Sequence, residues 1–216
     1  MPVEKAQILE VIERLEREYP DASIALNYEG NWQLLVAVIL SAQCTDVRVN
    51  MVTPALFKRF PEVEDFEACD LAELEKMIYS TGFYRNKAKN IRAAAMRVVT
   101  EFGGVVPDKM VDLLSLAGVA RKTANVVLNA AFGRQEGIVV DTHVARLAGL
   151  LGWVPMKYSK TKNALKIEGL LIKLLPRDKW AVISYLLILH GRNVCISRRP
   201  QCGECVLKDL CPSRVS

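Results

Sequence analysis

Four cysteines near the end of the sequence have the spacing of a metal site. Cys195, Cys202, Cys205 and Cys211 lie in CISRRPQCGECVLKDLC and follow the pattern C-x6-C-x2-C-x5-C. Disulfides are rare inside cells, where thiols grouped in this way more often bind a metal. Structural zinc sites usually combine two C-x2-C pairs, whereas this sequence has one, so the spacing favours a thiolate-held iron-sulfur cluster. Zinc, or no metal at all, remains the alternative.

Two arginines stand in the loop between the first two of these cysteines. Arg198 and Arg199 either offset the negative charge of a cluster or contact a phosphate. The other two cysteines, Cys44 and Cys69, are isolated from the group and from each other. Each is predicted to be a small buried hydrophobic residue.

A lysine stands where a helix is predicted to begin, in LAGVARKTAN, residues 116–125. The pattern predicts one helix that ends at Gly118 and another that starts at once, with Lys122 in its first turn. A helix N-terminus carries about half a positive charge and disfavours an ammonium group. A partly buried Lys122 beside Arg121 would more often be the free amine that Schiff-base chemistry needs. The alternative is a lysine whose head group reaches solvent or phosphate.

The turn before Lys122 has the composition of a phosphate-binding loop. Gly118 permits a tight turn, and the free N–H groups that follow, around Ala120, form a concave site for an oxyanion. An oxyanion such as a DNA phosphate could bind there, which would give position without reading bases. A plain helical corner has the same sequence pattern.

Asp141 follows the extended apolar run IVV and precedes a helix, so it is first predicted to be an N-cap. The same carboxylate could also accept a proton or stabilise positive charge that develops at a sugar carbon. His143 and His190 are predicted to be packed histidines and not catalysts.

The elements that must position these residues read as helices throughout. Ile8, Ile12, Leu15 and Tyr19 form one apolar stripe that ends before Pro20, and Leu34 to Leu40 is apolar nearly all round, as in a buried central helix. Pro54 should kink or restart its helix. No alternating strand pattern persists, so the fold class is all-α. The residues predicted to start helices are Asn31, Asp70 with Glu73 as a capping box, Asp108, Ser159 and Asp178.

Composition limits the classes of protein that remain. With 216 residues, 51% of them hydrophobic, the chain can form one or two domains, and no apolar run approaches the length of a membrane span. The N-terminal stretch MPVEKAQILE lacks a signal-peptide core. These features predict a soluble intracellular protein. A net charge of +5 permits a nucleic-acid partner without requiring one.

Taken together, the motifs closely resemble the endonuclease III family, base-excision DNA glycosylases of the helix-hairpin-helix superfamily. The resemblance implies an all-α, two-domain fold: a six-helix barrel over residues 23–136, and a second helical domain over residues 1–22 and 137–216 that carries the cluster. The motifs, in chain order before the cysteines, are LLVAVILSAQCTD, STGFYRNKAKNI, LAGVARKTANVVLNAAFG, VDTHVARL and LILHGR.

The resemblance implies a bifunctional glycosylase and AP lyase that excises oxidised pyrimidines from double-stranded DNA. Lys122 matches the lysine that attacks the sugar, and Asp141 matches the catalytic aspartate. Gln43 and Phe83 match the residues that fill the gap left by the extruded base and wedge the duplex open. A 4Fe-4S cluster held by the four cysteines, a monomeric state and a cytoplasmic, nucleoid-associated location are also implied.

The hairpin departs from the family pattern at two positions, where Ala117 and Ala120 replace a proline and a glycine. The added methyl groups predict a functional hairpin with altered DNA affinity. Two other functions fit the sequence. A pyrimidine-dimer glycosylase shares the lysine, the aspartate and the cysteine pattern, and a non-catalytic protein that binds damaged DNA would keep the fold without the chemistry.

Overall fold

The computed structural model describes residues 4–215, and within them every regular element is a helix. Two short 3-10 turns, Tyr79–Thr81 and Arg177–Lys179, accompany the α-helices. Across residues 4–215, no helix combines the length and apolarity that crossing a membrane requires. The α-helices are α1 (Lys5–Glu18), α2 (Gly30–Ser41), α3 (Asp46–Arg59), α4 (Val63–Ala68), α5 (Leu71–Ile78), α6 (Tyr84–Phe102), α7 (Met110–Leu114), α8 (Arg121–Phe132), α9 (Thr142–Leu150), α10 (Met156–Lys160), α11 (Ala164–Leu174) and α12 (Trp180–Asn193).

The chain divides into two compact units. We call Ala25–Glu136 the hairpin unit, which contains α2 to α8. We call Met1–Ile24 together with Gly137–Ser216 the cysteine unit, which contains α1 and α9 to α12. Residues 1–3 and 216, which the predicted second domain includes, lie outside the described residues.

The hairpin unit is organised around α2. Residues 34–40 of this helix are at most 7% exposed, as its uniform apolarity predicts. A helix that is apolar on every side must be covered on every side, and α3, α6 and α8 all pack against it. The predicted central helix is therefore confirmed, and its two ends lead directly into loops.

The cysteine unit has its own core, which includes the first helix of the chain. The stripe predicted for α1 is confirmed, since Ile8, Ile12 and Leu15 are at most 1% exposed. This stripe packs on α12, and α9 packs on α10, α11 and α12.

Two of the predicted helix starts are wrong. α2 begins at Gly30 and not behind Asn31, since the Gln33 side chain accepts a hydrogen bond from the backbone N–H of Glu29 at 2.9 Å. Asp108 caps no helix. Its carboxylate pairs with Arg134 at 2.5 Å, and α7 begins at Met110.

The two later starts are also displaced. Ser159 lies inside α10 and is buried over Gly149, and α11 is capped instead by the side chain of Asn163. Asp178 lies in the 3-10 turn that precedes α12. The contact with Gly149 explains the shift at Ser159, because a side chain in tertiary contact is not free to cap.

Asp70 is confirmed as an N-cap, since its side chain accepts from the Ala72 N–H at 3.1 Å. The capping box is wrong, because Glu73 makes two hydrogen bonds to Arg59, at 2.7 and 2.9 Å. Pro54 does not restart its helix, and α3 continues through it from Asp46 to Arg59. Buried residues on both sides of the proline hold the helix in place.

Candidate functional site

The hairpin that carries Lys122 consists of α7, a six-residue turn and α8. Gly118 in this turn has a φ of +79°, and a Cβ at this position would lie 2.9 Å from the Cβ of Asn90 on α6. Leu116 and Val119 are buried and anchor the turn on the unit's core. Backbone conformation and space therefore both require glycine at position 118.

The N-terminus of α8 lies open behind this turn. Ala120 is its N-cap and has an extended backbone, with φ −94° and ψ 170°, and no side chain caps the helix. The first N–H groups of a helix have no partner within it, so this turn can donate to an anion. The alanine at this position therefore causes no backbone strain.

Lys122 lies in the first turn of α8, as predicted, but it is exposed and not partly buried. Its side chain makes no hydrogen bond or ion pair with any residue between 4 and 215. Burial therefore does not contribute to its reactivity. What the position provides is an unengaged amine next to a positive helix end.

Gln43 and Phe83 both adopt the left-handed backbone region, with φ values of 53° and 49°. Phe83 is the N-cap of α6 and its side chain is 64% exposed. Next to it, the rings of Tyr79 and Tyr84 lie 4.8 Å apart. A bulky residue with positive φ is strained, and such residues concentrate at functional sites. The exposed ring of Phe83 is therefore accessible to a ligand or partner.

The segments that precede these two residues meet at one buried lysine, which lies within the STGFYRNKAKNI motif but received no role from the sequence. The Nζ of Lys87 donates to the carbonyl oxygens of Leu40, at 2.7 Å, and of Thr81, at 2.8 Å. Lys87 is 5% exposed, and burial lowers the pKa of its amine. The sequence did contain a signal, since Lys87 stands four residues before Ile91 on the apolar stripe of α6.

Of the two isolated cysteines, one matches its prediction. Cys69 is 7% exposed, and its thiol donates to the carbonyl of Phe66 at 3.1 Å. Cys44 is only partly buried, so the predicted burial is wrong there. Its position three residues after the end of α2, in the loop that carries Gln43, accounts for the exposure.

In the cysteine unit, Asp141 is confirmed as an N-cap. Its Oδ1 accepts from the Val144 N–H at 2.8 Å and starts α9. His190 is 2% exposed, as predicted for a packed histidine, whereas His143 is only partly buried. Lys122 belongs to the hairpin unit and Asp141 to the cysteine unit.

The four cysteines of the C-x6-C-x2-C-x5-C segment line one cavity of about 230 Å³. Within residues 4–215, no three His, Cys, Asp or Glu side chains converge closely enough to hold a single metal ion. Four thiols around a cavity this large suit a group of several atoms better than one zinc ion. Burial also raises the pKa of the Cys195, Cys205 and Cys211 thiols, so a bound cationic group would be needed to hold them as thiolates.

Side chains from α9 and α12 support the first and third of these cysteines. Arg146 donates to the carbonyl oxygen of Cys195 at 2.6 Å, and its Nη1 lies 3.6 Å from the sulfur. The Nε2 of His190 lies 3.3 Å from the sulfur of Cys205, and its Nδ1 lies 3.3 Å from the hydroxyl of Tyr19. Burial and Arg146 lower the pKa of His190 to about 4, so the imidazole is neutral at pH 7.

Helix α1 holds the same segment from the other side. Arg14 donates to the carbonyl oxygen of Val206 at 3.0 Å and pairs with Asp209 at 2.6 Å. Gln7 donates to the carbonyl oxygen of Leu210 at 3.0 Å. Nothing local in the sequence marks these residues, because their partners lie about 200 positions away. They explain physically why α1 belongs to the cysteine unit.

Arg198 and Arg199 are exposed in the loop between the first two cysteines. A groove of about 700 Å³ lies in the same unit and begins beside Asp141, at Thr142. Its polar lining is basic, which favours an anionic ligand. The basic residues that line it are His143, Arg146, Lys160, Lys162 and Arg192.

Comparisons with known proteins agree on the kind of molecule. The family model of HhH-GPD superfamily base excision DNA repair proteins matches residues 36–170, and that of the iron-sulfur binding domain of endonuclease III matches residues 195–211. Endonuclease III of Synechocystis sp. is 51% identical over 213 residues, which cover 99% of this chain and 95% of the relative.

Two solved structures are also similar along the whole chain. One is of a non-covalent endonuclease III–DNA complex and the other of a trapped endonuclease III–DNA covalent intermediate. Each is 40% identical with a TM-score of 0.89 and covers 98% of this chain. The chain covers 96% of the first structure and 97% of the second.

Proposed function

The chain belongs to the endonuclease III family of HhH-GPD base excision repair proteins, DNA glycosylases with AP lyase activity, and on that premise we propose that it excises oxidised pyrimidines from duplex DNA and then cuts the strand. The hydrogen bonds and exposures of its own residues support a division of labour between the two units. The hairpin unit supplies the nucleophile and the grip on DNA. The cysteine unit supplies the carboxylate and the iron-sulfur centre.

Lys122 is the nucleophile in this proposal. Its exposed amine attacks C1′ of the sugar, the bond from C1′ to the base breaks, and the base leaves with the electron pair and takes up a proton. The sugar ring opens to leave a Schiff base between Lys122 and C1′. This imine acidifies C2′, which loses a proton, and the C3′–O bond breaks by β-elimination. Water then releases the enzyme from the cut strand.

Asp141 is the carboxylate of the reaction. It stabilises the positive charge that develops at the sugar as the base departs, or accepts the proton that the attacking amine loses. Its role as N-cap of α9 fixes the side chain through Val144, since Oδ1 is held by that N–H. The second oxygen, Oδ2, is left to act on the sugar.

The DNA backbone is held by the turn at Gly118 and Ala120 and by the open N-terminus of α8. These groups bind phosphate without regard to sequence, as repair of scattered lesions requires. Gln43 and Phe83 enter the duplex, where Gln43 fills the space of the extruded base and Phe83 separates the neighbouring stack. Arg198 and Arg199 add phosphate contacts from the cysteine unit.

The iron-sulfur centre is a 4Fe-4S cluster held by Cys195, Cys202, Cys205 and Cys211. When bound, it cross-links the segment through four thiolates and gives the loop that bears Arg198 a fixed shape. The polar groups that orient this segment come from Arg14, Arg146 and His190. The protein acts as a monomer on duplexes with a damaged pyrimidine or an abasic site.

The observation that carries the proposal is the unengaged amine of Lys122 at an open helix N-terminus. To test it, the purified holoprotein is mixed with a duplex that contains one thymine glycol, and borohydride is added to reduce any imine to a stable adduct. Lys122→Ala is run beside it. Lys109→Ala is the matched control, because it removes an exposed lysine that immediately precedes α7, the other helix of the same hairpin.

We expect an adduct with the parent and with Lys109→Ala, and none with Lys122→Ala. An adduct at a bare abasic site but not at thymine glycol would support the lyase activity and show that the enzyme excises a different base. A duplex with a cyclobutane pyrimidine dimer is then the next substrate to test. No adduct on any substrate, with duplex binding retained, would replace the proposal by the function of a damage-binding protein.

A further inference from the structure

We propose that Lys87 is a positioning residue for strand opening: its ammonium joins the end of α2, which leads into the loop of Gln43, to the 3-10 turn that leads into Phe83, and so fixes the distance between the two residues that enter the duplex. This inference rests on the proposed function, in which Gln43 and Phe83 contact DNA. Lys87 itself is buried and touches no substrate.

The two bonds of Lys87 reach the same kind of acceptor. Leu40 is the second-last residue of α2, and Thr81 is the last residue of the 3-10 turn after α5. Carbonyl groups at the C-terminal end of a helix have no partner within it, and that end attracts a cation. One ammonium group therefore donates hydrogen bonds to the carbonyl groups at two helix ends.

These two carbonyls lie two or three positions before the strained residues. Gln43 follows Leu40 by three positions, and Phe83 follows Thr81 by two. The backbone N–H of Lys87 donates to the carbonyl of Phe83 at 3.1 Å, which is the first hydrogen bond of α6, so the side chain of Lys87 acts one helical turn from Phe83. A strained conformation persists only where its surroundings over-determine it, and Lys87 supplies that constraint at both loops.

The choice of lysine, and not an apolar residue, at this buried position has a cost that a purely structural role would avoid. The rest of the stripe on α6 is apolar, with Ile91, Ala95 and Val98 fully buried. No carboxylate pairs with Lys87 within residues 4–215, so its charge is balanced only by the two carbonyl groups. Methionine would fill the same space and leave the loops unconnected.

The experiment compares Lys87→Met with Lys89→Met in the holoprotein. Both variants remove one positive charge from α6, but Lys89 is exposed. Three readouts are taken: base release from a thymine glycol duplex at single turnover, borohydride trapping on a single-stranded abasic oligonucleotide, and the fluorescence of 2-aminopurine beside a tetrahydrofuran site in a duplex. The third reports unstacking on binding and needs no catalysis.

We expect Lys87→Met to lower the rate of base release from the duplex by about tenfold to a hundredfold, as misplacement of a substrate-positioning group does. The 2-aminopurine signal should fall with it. Trapping on the single strand should be unchanged, because no stack has to be opened, and Lys89→Met should match the parent in all three. If Lys87→Met opens and cuts the duplex like the parent, or loses single-strand trapping equally, the positioning role is wrong.

A parent that traps neither substrate would refute the proposed lyase but not this inference, since the 2-aminopurine signal would still decide it. A second comparison tests whether Lys87 acts through the two loop residues. In a background of Gln43→Ala with Phe83→Ala, Lys87→Met should cause no further loss, and an additive loss would overturn the inference. If Lys87→Met does not fold, Lys87→Gln carries the same test, because its amide keeps a donor for one carbonyl.

Discussion

Substitution of Gly118 by alanine should weaken the hairpin by an amount that can be calculated from two separate effects. An alanine with a φ of +79° costs about 1–2 kcal/mol because its Cβ crowds the following carbonyl. The new Cβ also lies 2.9 Å from the Cβ of Asn90, and forced packing of this kind costs about 1–3 kcal/mol. The sum is a loss of about 2–5 kcal/mol in the free energy of unfolding.

Gly133 provides a matched control at the other end of α8. It has a φ of +62°, but no atom lies within 4 Å of a Cβ built there. Gly133→Ala should therefore cost only the backbone part, about 1–2 kcal/mol. The difference between the two variants measures the close approach of the turn to Asn90 on α6.

Urea denaturation followed by circular dichroism gives the two free energies, and fluorescence anisotropy with a tetrahydrofuran duplex gives affinity. Gly118→Ala should lose both stability and affinity, because the turn must move away from α6. Gly133→Ala should bind like the parent. Equal losses of stability in the two variants, or unchanged affinity in Gly118→Ala, would refute the idea that Asn90 sets the shape of the turn and that this turn binds DNA.

Three further results are expected. Ala120→Gly should change duplex affinity in a salt titration, because it removes only a methyl group next to the open helix end; identical affinities would show that the methyl does not approach phosphate. The hydrogen bond from Arg14 lowers the pKa of Asp209 below 3.8. In urea denaturation the parent should therefore be more stable than Asp209→Asn above that pH, and the difference in the free energy of unfolding should vanish as the pH falls through the folded-state pKa. An equal difference at pH values on both sides would contradict this. Burial lowers the pKa of Lys87, so the folded state binds fewer protons than the unfolded state. The free energy of unfolding of the parent relative to Lys87→Met should therefore rise with pH toward 10.5. A difference in the free energy of unfolding that does not change with pH would exclude the pKa shift.

The helices themselves could be predicted from the sequence, because burial of an apolar stripe leaves a periodic pattern. The stripe of α1 and the uniform apolarity of α2 are examples. The starts at Asp108 and Ser159 failed for one reason, a tertiary contact of the side chain. Asp108 is a residue type that caps helices, but its carboxylate pairs instead with an arginine 26 positions later. The local sequence does not contain that information.

The sequence predicted the candidate site to the same extent as it predicted the helices. The type and spacing of the four cysteines and the position of Lys122 identify the chemistry, whereas their environment depends on tertiary contacts. The exposure of Lys122 follows from how α8 packs, and the hold of Arg14 on the cysteine segment joins residues almost 200 positions apart. The catalytic and DNA-binding roles of individual residues remain predictions.

The partnership of α1 with the cysteine segment has a consequence for the order in which the protein matures. The hairpin unit is continuous in sequence, so it can fold as soon as its own residues leave the ribosome. Helix α1 is synthesised first, but an isolated helix of 14 residues is only marginally stable in water. Its apolar residues Ile8, Ile12 and Leu15 therefore stay exposed until α12 is synthesised. Closure of the cysteine unit therefore comes late in synthesis, after the hairpin unit is complete, and the cysteine segment meets Arg14 and Gln7 of α1 only at that point.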